Sequence, residues 1–98
     1  MNEKQRDMAR HALGFPNAKN QSYRNHYSIG PGSEGHSDWE ELVSQGLAVK
    51  HTSKLWGGDD MFHLTLKGAL MVRGPKEHVG REDAEDMRRL EETVWDAK

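Results

Sequence analysis

The sequence predicts an α+β domain, and three features of residues 38–72 support this class. The first is a short helix that ends at Gly46, the second is a hairpin, and the third is another helix that opens at Thr65 and ends at Gly74-Pro75. The first helix carries apolar residues at i, i+3 and i+4, namely Trp39, Leu42 and Val43. The hairpin is indicated by two alternating stretches on either side of a turn rich in glycine and aspartate. The rest of the chain is arranged around this helix, hairpin, helix order.

Local signals set the expected boundaries of each element. Two capping boxes are indicated, at Asn2 with Gln5 and at Ser37 with Glu40. In a capping box the N-cap residue and the residue three positions later each bond through the side chain to the backbone amide of the other residue. We expect helices near 3–13, 37–45, 65–73 and 82–96, and a hairpin that pairs 47–52 with 60–64. The predicted core is Trp39, Leu42, Leu47, Val49, Phe62, Leu64, Leu66 and Leu70.

Residues 15–37 show no sustained period. Alternation over 23–29 predicts one short strand there, followed by a turn at Gly30-Pro31-Gly32. No helix is expected in this part of the chain.

The central stretch resembles the second half of winged-helix domains, whose running pattern is an apolar helix, Gly-Leu, a hairpin and Leu-Thr-x-x-Gly. The residues that carry the resemblance are Leu42, Gly46-Leu47, Phe62, Leu64-Thr65 and Gly68. The resemblance implies a small winged-helix-like domain over 1–81, with a degenerate helix-turn-helix because its second helix is missing. An acidic C-terminal helix over 82–98 is added to it. Winged-helix-like proteins commonly pair through terminal helices, so a homodimer through this helix and a monomer are both open.

Composition limits the class of protein. A chain of 98 residues forms one domain, and 34% apolar against 31% charged residues is lean for a core. The absence of cysteine fits a reducing cytoplasm, and no apolar run near the N-terminus could serve as a signal peptide or membrane span. We expect a cytoplasmic protein that does not enter membranes.

One stretch has the composition of a binding surface. Between Asp7 and Glu34 the chain has no acidic residue, yet it carries cations, aromatic rings and amides that suit phosphate, carboxylate or base contacts. An apolar tryptophan at the hairpin tip is a second candidate anchor. The candidate binding residues for nucleic acid or another partner are Lys19, Tyr23, Arg24, Asn25, His26, Tyr27 and Trp56.

A structural role is the alternative for each of these residues. Arg24 could pair with Asp38 or Glu41, the tyrosines could fill the space of the missing helix, and Trp56 could fold back over the sheet.

The helix that would read DNA in a winged-helix protein is acidic here. Its outer face carries Asp38, Glu40, Glu41 and Gln45, and carboxylates repel a phosphate backbone. If the chain binds DNA, we expect an unusual mode of binding.

Catalytic and metal-binding patterns are weak. Six histidines are spread along the chain without the helical histidine pair, or the close cluster with carboxylates, that a zinc site usually shows, and His36 with Asp38 is the nearest candidate. No serine lies in a nucleophile elbow and no carboxylate pair lies on a recognisable scaffold. We expect no enzyme activity, no metal and no cofactor.

A closer resemblance extends over most of residues 3–72. The segments MARHALGFPN, SYRNHY, DWEELVSQG and GGDDMFHLTLKGA resemble a family of small phage and prophage proteins of unknown function. The resemblance implies a phage origin and a host or phage macromolecule as partner. Two hypotheses follow: a protein-interaction module that presents its acidic helix and terminal segment to a basic partner, or a small DNA-binding accessory protein or regulator.

Overall fold

The computed structural model describes the backbone of residues 1–52 and 57–96, and the side chains of these residues except those of 52, 82 and 90–96. Its elements are α1 (Glu3–Leu13), β1 (Tyr27–Ile29), α2 (His36–Ser44), β2 (Ala48–Thr52), β3 (Asp60–Leu64), α3 (Leu66–Val72) and α4 (Arg81–Asp96). The predicted α+β class, helices and hairpin are confirmed, and every helix boundary lies within one residue of its predicted position. None of the described helices combines the length and apolar character needed to cross a membrane.

The three strands form one antiparallel sheet in the order β1-β3-β2. In the hairpin Ala48 lies opposite Leu64, and on the other edge of β3 Tyr27 lies opposite Phe62. Strand β1 is shorter than the predicted 23–29, because the amides of Tyr23 and His26 donate to the end of α1, and Asn25 contacts β3 through its side chain instead of through the backbone ladder.

Aromatic packing joins the helices to the sheet. The Phe62 ring stacks on Trp39 with 5.4 Å between ring centres, and both side chains are fully buried. The Tyr27 ring lies 5.2 Å from Trp39. The core residues that are buried as predicted are Trp39, Leu42, Leu47, Val49, Phe62 and Leu64.

The prediction that Leu70 belongs to the core is wrong, because 49% of this residue is exposed. Helix α3 buries Gly68, Ala69 and Val72, and a helix turns by about 100° per residue, so the residue after Ala69 faces away from the core. Leu66 is only partly buried at the edge of the core.

The two predicted capping boxes have different outcomes. The first is confirmed, since the Gln5 amide donates to Asn2 Oδ1 at 2.8 Å and the Asn2 amide donates to Gln5 Oε1 at 2.9 Å. The second is wrong: α2 begins one residue earlier than predicted, after Gly35, with no side-chain cap. Glu40, which was expected to reach back to Ser37, instead accepts a hydrogen bond from Lys50.

A threonine and a glycine fix α3 against the hairpin. Thr65 Oγ1 accepts from the Gly68 amide at 3.2 Å and donates to the Gly46 carbonyl at 2.9 Å. A Cβ on Gly68 would collide with the backbone carbonyl of Leu47. The close approach of α3 to the start of β2 therefore requires glycine at this position.

Helix α4 is attached to the rest of the fold at its N-terminal end. Met87 is fully buried in the same core cluster as the sheet residues. Ser22 Oγ donates to Asp83 Oδ2 at 3.1 Å and accepts from the Gly80 amide at 3.0 Å. Of the apolar side chains described on α4, Met87 is thus buried against its own chain.

Candidate binding surface

Residues 23–26, within the part of the chain between Asp7 and Glu34 that has no acid, lie against the C-terminal end of α1 and are held there by backbone hydrogen bonds. The Tyr23 amide donates to the Leu13 carbonyl and the His26 amide donates to the Ala12 carbonyl, each at 3.2 Å. A helix leaves its last carbonyl groups without hydrogen-bond partners inside the helix. A neighbouring segment whose amides donate to these carbonyls therefore satisfies the backbone groups of both segments. This is how residues without regular secondary structure gain a fixed position.

Gly14 lets the Tyr23 ring approach the helix end. It has a left-handed φ of 88°, and a Cβ on it would collide with the Tyr23 ring. The helix end covers part of the Tyr23 ring in this way, but 64% of the residue stays exposed. The ring is therefore both supported and accessible.

Arg24 is fixed beside this ring by the backbone of α1. Its Nε and Nη2 donate to the His11 carbonyl at 3.1 and 2.7 Å, and its guanidinium carbon lies 5.2 Å from the centre of the Tyr23 ring. The proposed pairing of Arg24 with Asp38 or Glu41 is not what the structure shows. Among the described residues, Arg24 Nη1 has no hydrogen-bond partner.

Two open depressions flank the Tyr23 and Arg24 pair. One, of about 350 Å³, is lined by His11, Arg24, His26, Tyr27, Ser28 and Ile29. The other, of about 460 Å³, is lined by Asn17, Ala18, Lys19, Gln21, Ser22 and Tyr23. We call the surface formed by His11, Lys19, Tyr23, Arg24 and His26 the acid-free face.

The other predicted binding residues divide into exposed and structural positions. Lys19 and His26 are exposed on the acid-free face. Asn25 is used internally: its Nδ2 donates to the Leu64 carbonyl at 2.9 Å and its Oδ1 accepts from the Leu64 amide at 2.8 Å. Tyr27 is half-buried against the core. Trp56 lies outside the described residues.

Tyr27 fits the structural alternative, since its ring contacts both Trp39 and His11. The Tyr27 and His11 rings meet edge to face at 5.8 Å. Tyr27 therefore fills space between α1, α2 and the sheet, as the structural alternative expected in the absence of a second helix, and it also lines one depression.

Carboxylates are present at the edges of the acid-free face. Asp59 Oδ2 accepts from Ser28 Oγ at 3.4 Å beyond one depression, and Asp83 accepts from Ser22 beside the other. They limit how far an acidic ligand could extend along the surface.

The acids predicted on the outer face of α2 are partly paired with lysines. Lys4 lies 3.3 Å from Asp38 and 3.4 Å from Glu34, and Lys50 lies 2.8 Å from Glu40. Pairing reduces the net negative charge that this helix presents to a partner.

A cluster that the sequence did not reveal lies between α2 and β3. His36 Nε2 is 2.7 Å from Asp60 Oδ2 and 3.8 Å from Glu40 Oε1, and the three ligand atoms lie within 4.8 Å of one another. The nearest sequence candidate, Asp38, contacts Lys4 instead. The i, i+4 spacing of His36 and Glu40 was the available signal, whereas Asp60 is brought in by the hairpin. The sequence predicts no metal, whereas these three side chains are of the types that bind metal ions.

Comparison of the chain with protein-family models, with curated proteins and with solved structures finds no match. The functional argument therefore depends on the geometry of these surfaces.

Proposed function

We propose that the protein is a non-enzymatic binding module whose acid-free face contacts an acidic surface of a partner protein. The observation that carries the proposal is the arrangement of Tyr23 and Arg24. Arg24 is fixed by the His11 carbonyl and lies over an exposed ring, between two depressions. A pre-positioned guanidinium loses little conformational entropy when it binds a carboxylate, and tyrosine adds contact area at low entropic cost.

The acid-free face is a better candidate contact surface than α2. The acids of α2 were expected to face a basic partner, but Asp38 and Glu40 already have lysine partners. Lys19 and Arg24, in contrast, lie in a part of the chain that contains no acidic residue. An incoming carboxylate therefore gains a cation there without displacing an internal ion pair.

The two resemblances give this proposal its setting. The scaffold would be a winged-helix-like domain with a degenerate helix-turn-helix, and the order of helix, hairpin and helix over 36–72 supports that assignment. The protein would be of phage or prophage origin and would act on a host or phage protein in the host cytoplasm. A homodimer through α4 is the alternative to a monomer.

Single-stranded nucleic acid is the second candidate ligand, and the exposed Tyr23 ring favours it. Bases stack on exposed aromatic rings without sequence preference while nearby cations contact phosphates. Duplex DNA is disfavoured at α2, because Glu41 is exposed there and would face the phosphates.

A nuclear magnetic resonance titration of ¹⁵N-labelled protein tests the proposal. The probes are a deca-glutamate peptide and a thymidine 15-mer, each at two salt concentrations. We expect the peptide to shift the backbone resonances of residues 19–27 in a saturable way that weakens at higher salt. Shifts with the 15-mer alone would favour the nucleic-acid candidate. If neither probe shifts these resonances, the acid-free face is not a site for acidic ligands.

A further inference from the structure

We propose that His36, Glu40 and Asp60 form a binding site for one divalent ion of the zinc class. The three residues come from the first and second turns of α2 and from the first residue of β3. Imidazole and carboxylate groups are ligands that zinc uses in proteins, and three protein ligands leave one position open. The site is separate from the acid-free face and does not depend on the function proposed for that face.

The two distances from His36 Nε2 are close to those of a coordination shell. Zinc bonds of about 2.0 to 2.2 Å place tetrahedral ligand atoms about 3.3 to 3.6 Å apart. His36 Nε2 is 3.8 Å from Glu40 Oε1 and 2.7 Å from Asp60 Oδ2. An ion between these atoms would need the first distance to shorten slightly and the second to lengthen by less than about 1 Å, as side-chain rotations allow.

The fold holds two of the three ligands, Asp60 and His36, in place. Asp60 is only 4% exposed, and its position is fixed because it is paired with Thr52 and Ile29 in the sheet. The His36 ring is held edge to face against Phe62, with 5.5 Å between the ring centres. Two of the three ligands are thus pre-positioned, and a buried carboxylate is stabilised by a neighbouring cation.

Lys50 competes with the ion. Its ammonium lies 2.8 Å from Glu40 Oε1, the same oxygen that faces His36. A metal ion that coordinates this oxygen competes with the ammonium for it. Lys50 therefore weakens metal binding, both by competing for a ligand atom and by its positive charge.

The competition makes the test specific. Zinc chloride is titrated by calorimetry into the full-length wild type and two variants, Glu40→Gln and Lys50→Gln. Both variants lose the ion pair between Glu40 and Lys50, but only the first loses a metal ligand. We expect one equivalent of zinc to bind the wild type, Glu40→Gln to bind more than about tenfold more weakly, and Lys50→Gln to bind more tightly.

Two controls show where the ion binds. Lys4→Gln removes a lysine that pairs with Asp38 on the same helix outside the cluster, and it should leave zinc affinity unchanged. In the wild type, zinc should shift the imidazole ¹⁵N resonance of His36 Nε2 and leave that of the exposed His78 in place.

The proposal is overturned if the wild type shows no saturable binding of one zinc ion. It is also overturned if Glu40→Gln binds zinc as the wild type does, or if Lys50→Gln binds no more tightly. In those cases the contact between His36 and Asp60 is only a structural link between α2 and β3.

Discussion

Arg24 donates two hydrogen bonds to one backbone atom, the carbonyl oxygen of His11. The sequence offered two roles for this arginine, a contact with a partner or a salt bridge to an acid of α2. The structure shows a third, in which the guanidinium donates to a carbonyl at the end of α1, which also accepts from the Gly14 amide, and is held beside Tyr23. The fold therefore positions the guanidinium through Nε and Nη2, while its third nitrogen, Nη1, does not donate to the His11 carbonyl.

Phe62→Ala tests the core. The ring is fully buried and stacks on Trp39, so its loss should reduce the free energy of unfolding by about 3 to 5 kcal/mol. Urea denaturation measures this directly. Leu70→Ala, at an exposed position of α3, is the control and should cost less than about 1 kcal/mol. Equal costs for the two variants would mean that the buried faces of the sheet and α3 are assigned wrongly.

Gly68→Ala should destabilise the protein although alanine is the better helix former. The gain of about 1 kcal/mol in helix propensity is opposed by the collision of the new Cβ with the Leu47 carbonyl. We expect a net loss of about 1 to 3 kcal/mol in the free energy of unfolding. A stabilised variant in the same urea experiment would show that α3 does not approach β2 so closely.

Glu77 should make stability depend on pH in the acid range. The hydrogen-bonded Arg10 guanidinium, at 2.8 Å, holds the pKa of Glu77 below its ordinary value of 4.5. Because the folded-state pKa is lower, this contribution is complete above about pH 4.5 and is lost as the pH falls through the folded-state pKa. Glu77→Gln should flatten the stability curve below pH 4.5. Arg10→Met should flatten it too, and an unaltered acid slope in both variants would contradict the account.

His63 should make stability depend on pH in a higher range than Glu77 does. Burial lowers the pKa of His63 from its ordinary value of 6.5, an effect opposed by the contact with the Asn25 carbonyl and increased by the nearby His51. The unfolded chain then takes up the proton first, so stability falls as the pH drops through 6.5 towards the folded-state pKa. His63→Gln should reduce the fall in Tm between pH 7.5 and 5.5. His51→Gln should reduce it less, and a fall of the same size in His63→Gln would exclude this histidine as the cause.

The sequence predicted those elements whose signals are local. Asn2 with Gln5 and Thr65 with Gly68 are each three residues apart, so the hydrogen bonds that start their helices can be predicted from a short stretch of sequence. Ser37 with Glu40 carried the same signal and failed, because α2 begins at His36 and Ser37 therefore lies inside the first turn instead of at the N-cap position. Glu40 accepts from Lys50 of the hairpin instead, a partner distant in sequence that the local pattern does not reveal.

The candidate site could be predicted only in part. The lack of acids between Asp7 and Glu34 located the surface, but no residue pattern shows that the partner of Arg24 is a backbone carbonyl. Gly14, which ends α1 just before this segment, was the available hint that carbonyls there would need donors. The cluster of His36 and Asp60 joins residues 24 positions apart, so it depends on how the hairpin docks.

Binding by the acid-free face is tested most directly by comparing two arginines of similar structural role. Arg24 donates to the His11 carbonyl within the face, and Arg6 donates to the Met71 carbonyl outside it. Fluorescence anisotropy with labelled deca-glutamate and labelled thymidine 15-mer gives the affinities of Arg24→Ala and Arg6→Ala, and Tm is measured on the same samples. We predict that Arg24→Ala weakens binding about tenfold or more and flattens its salt dependence, with a Tm close to that of Arg6→Ala. Equal affinities for the two variants, with both probes, would contradict a binding role for this surface.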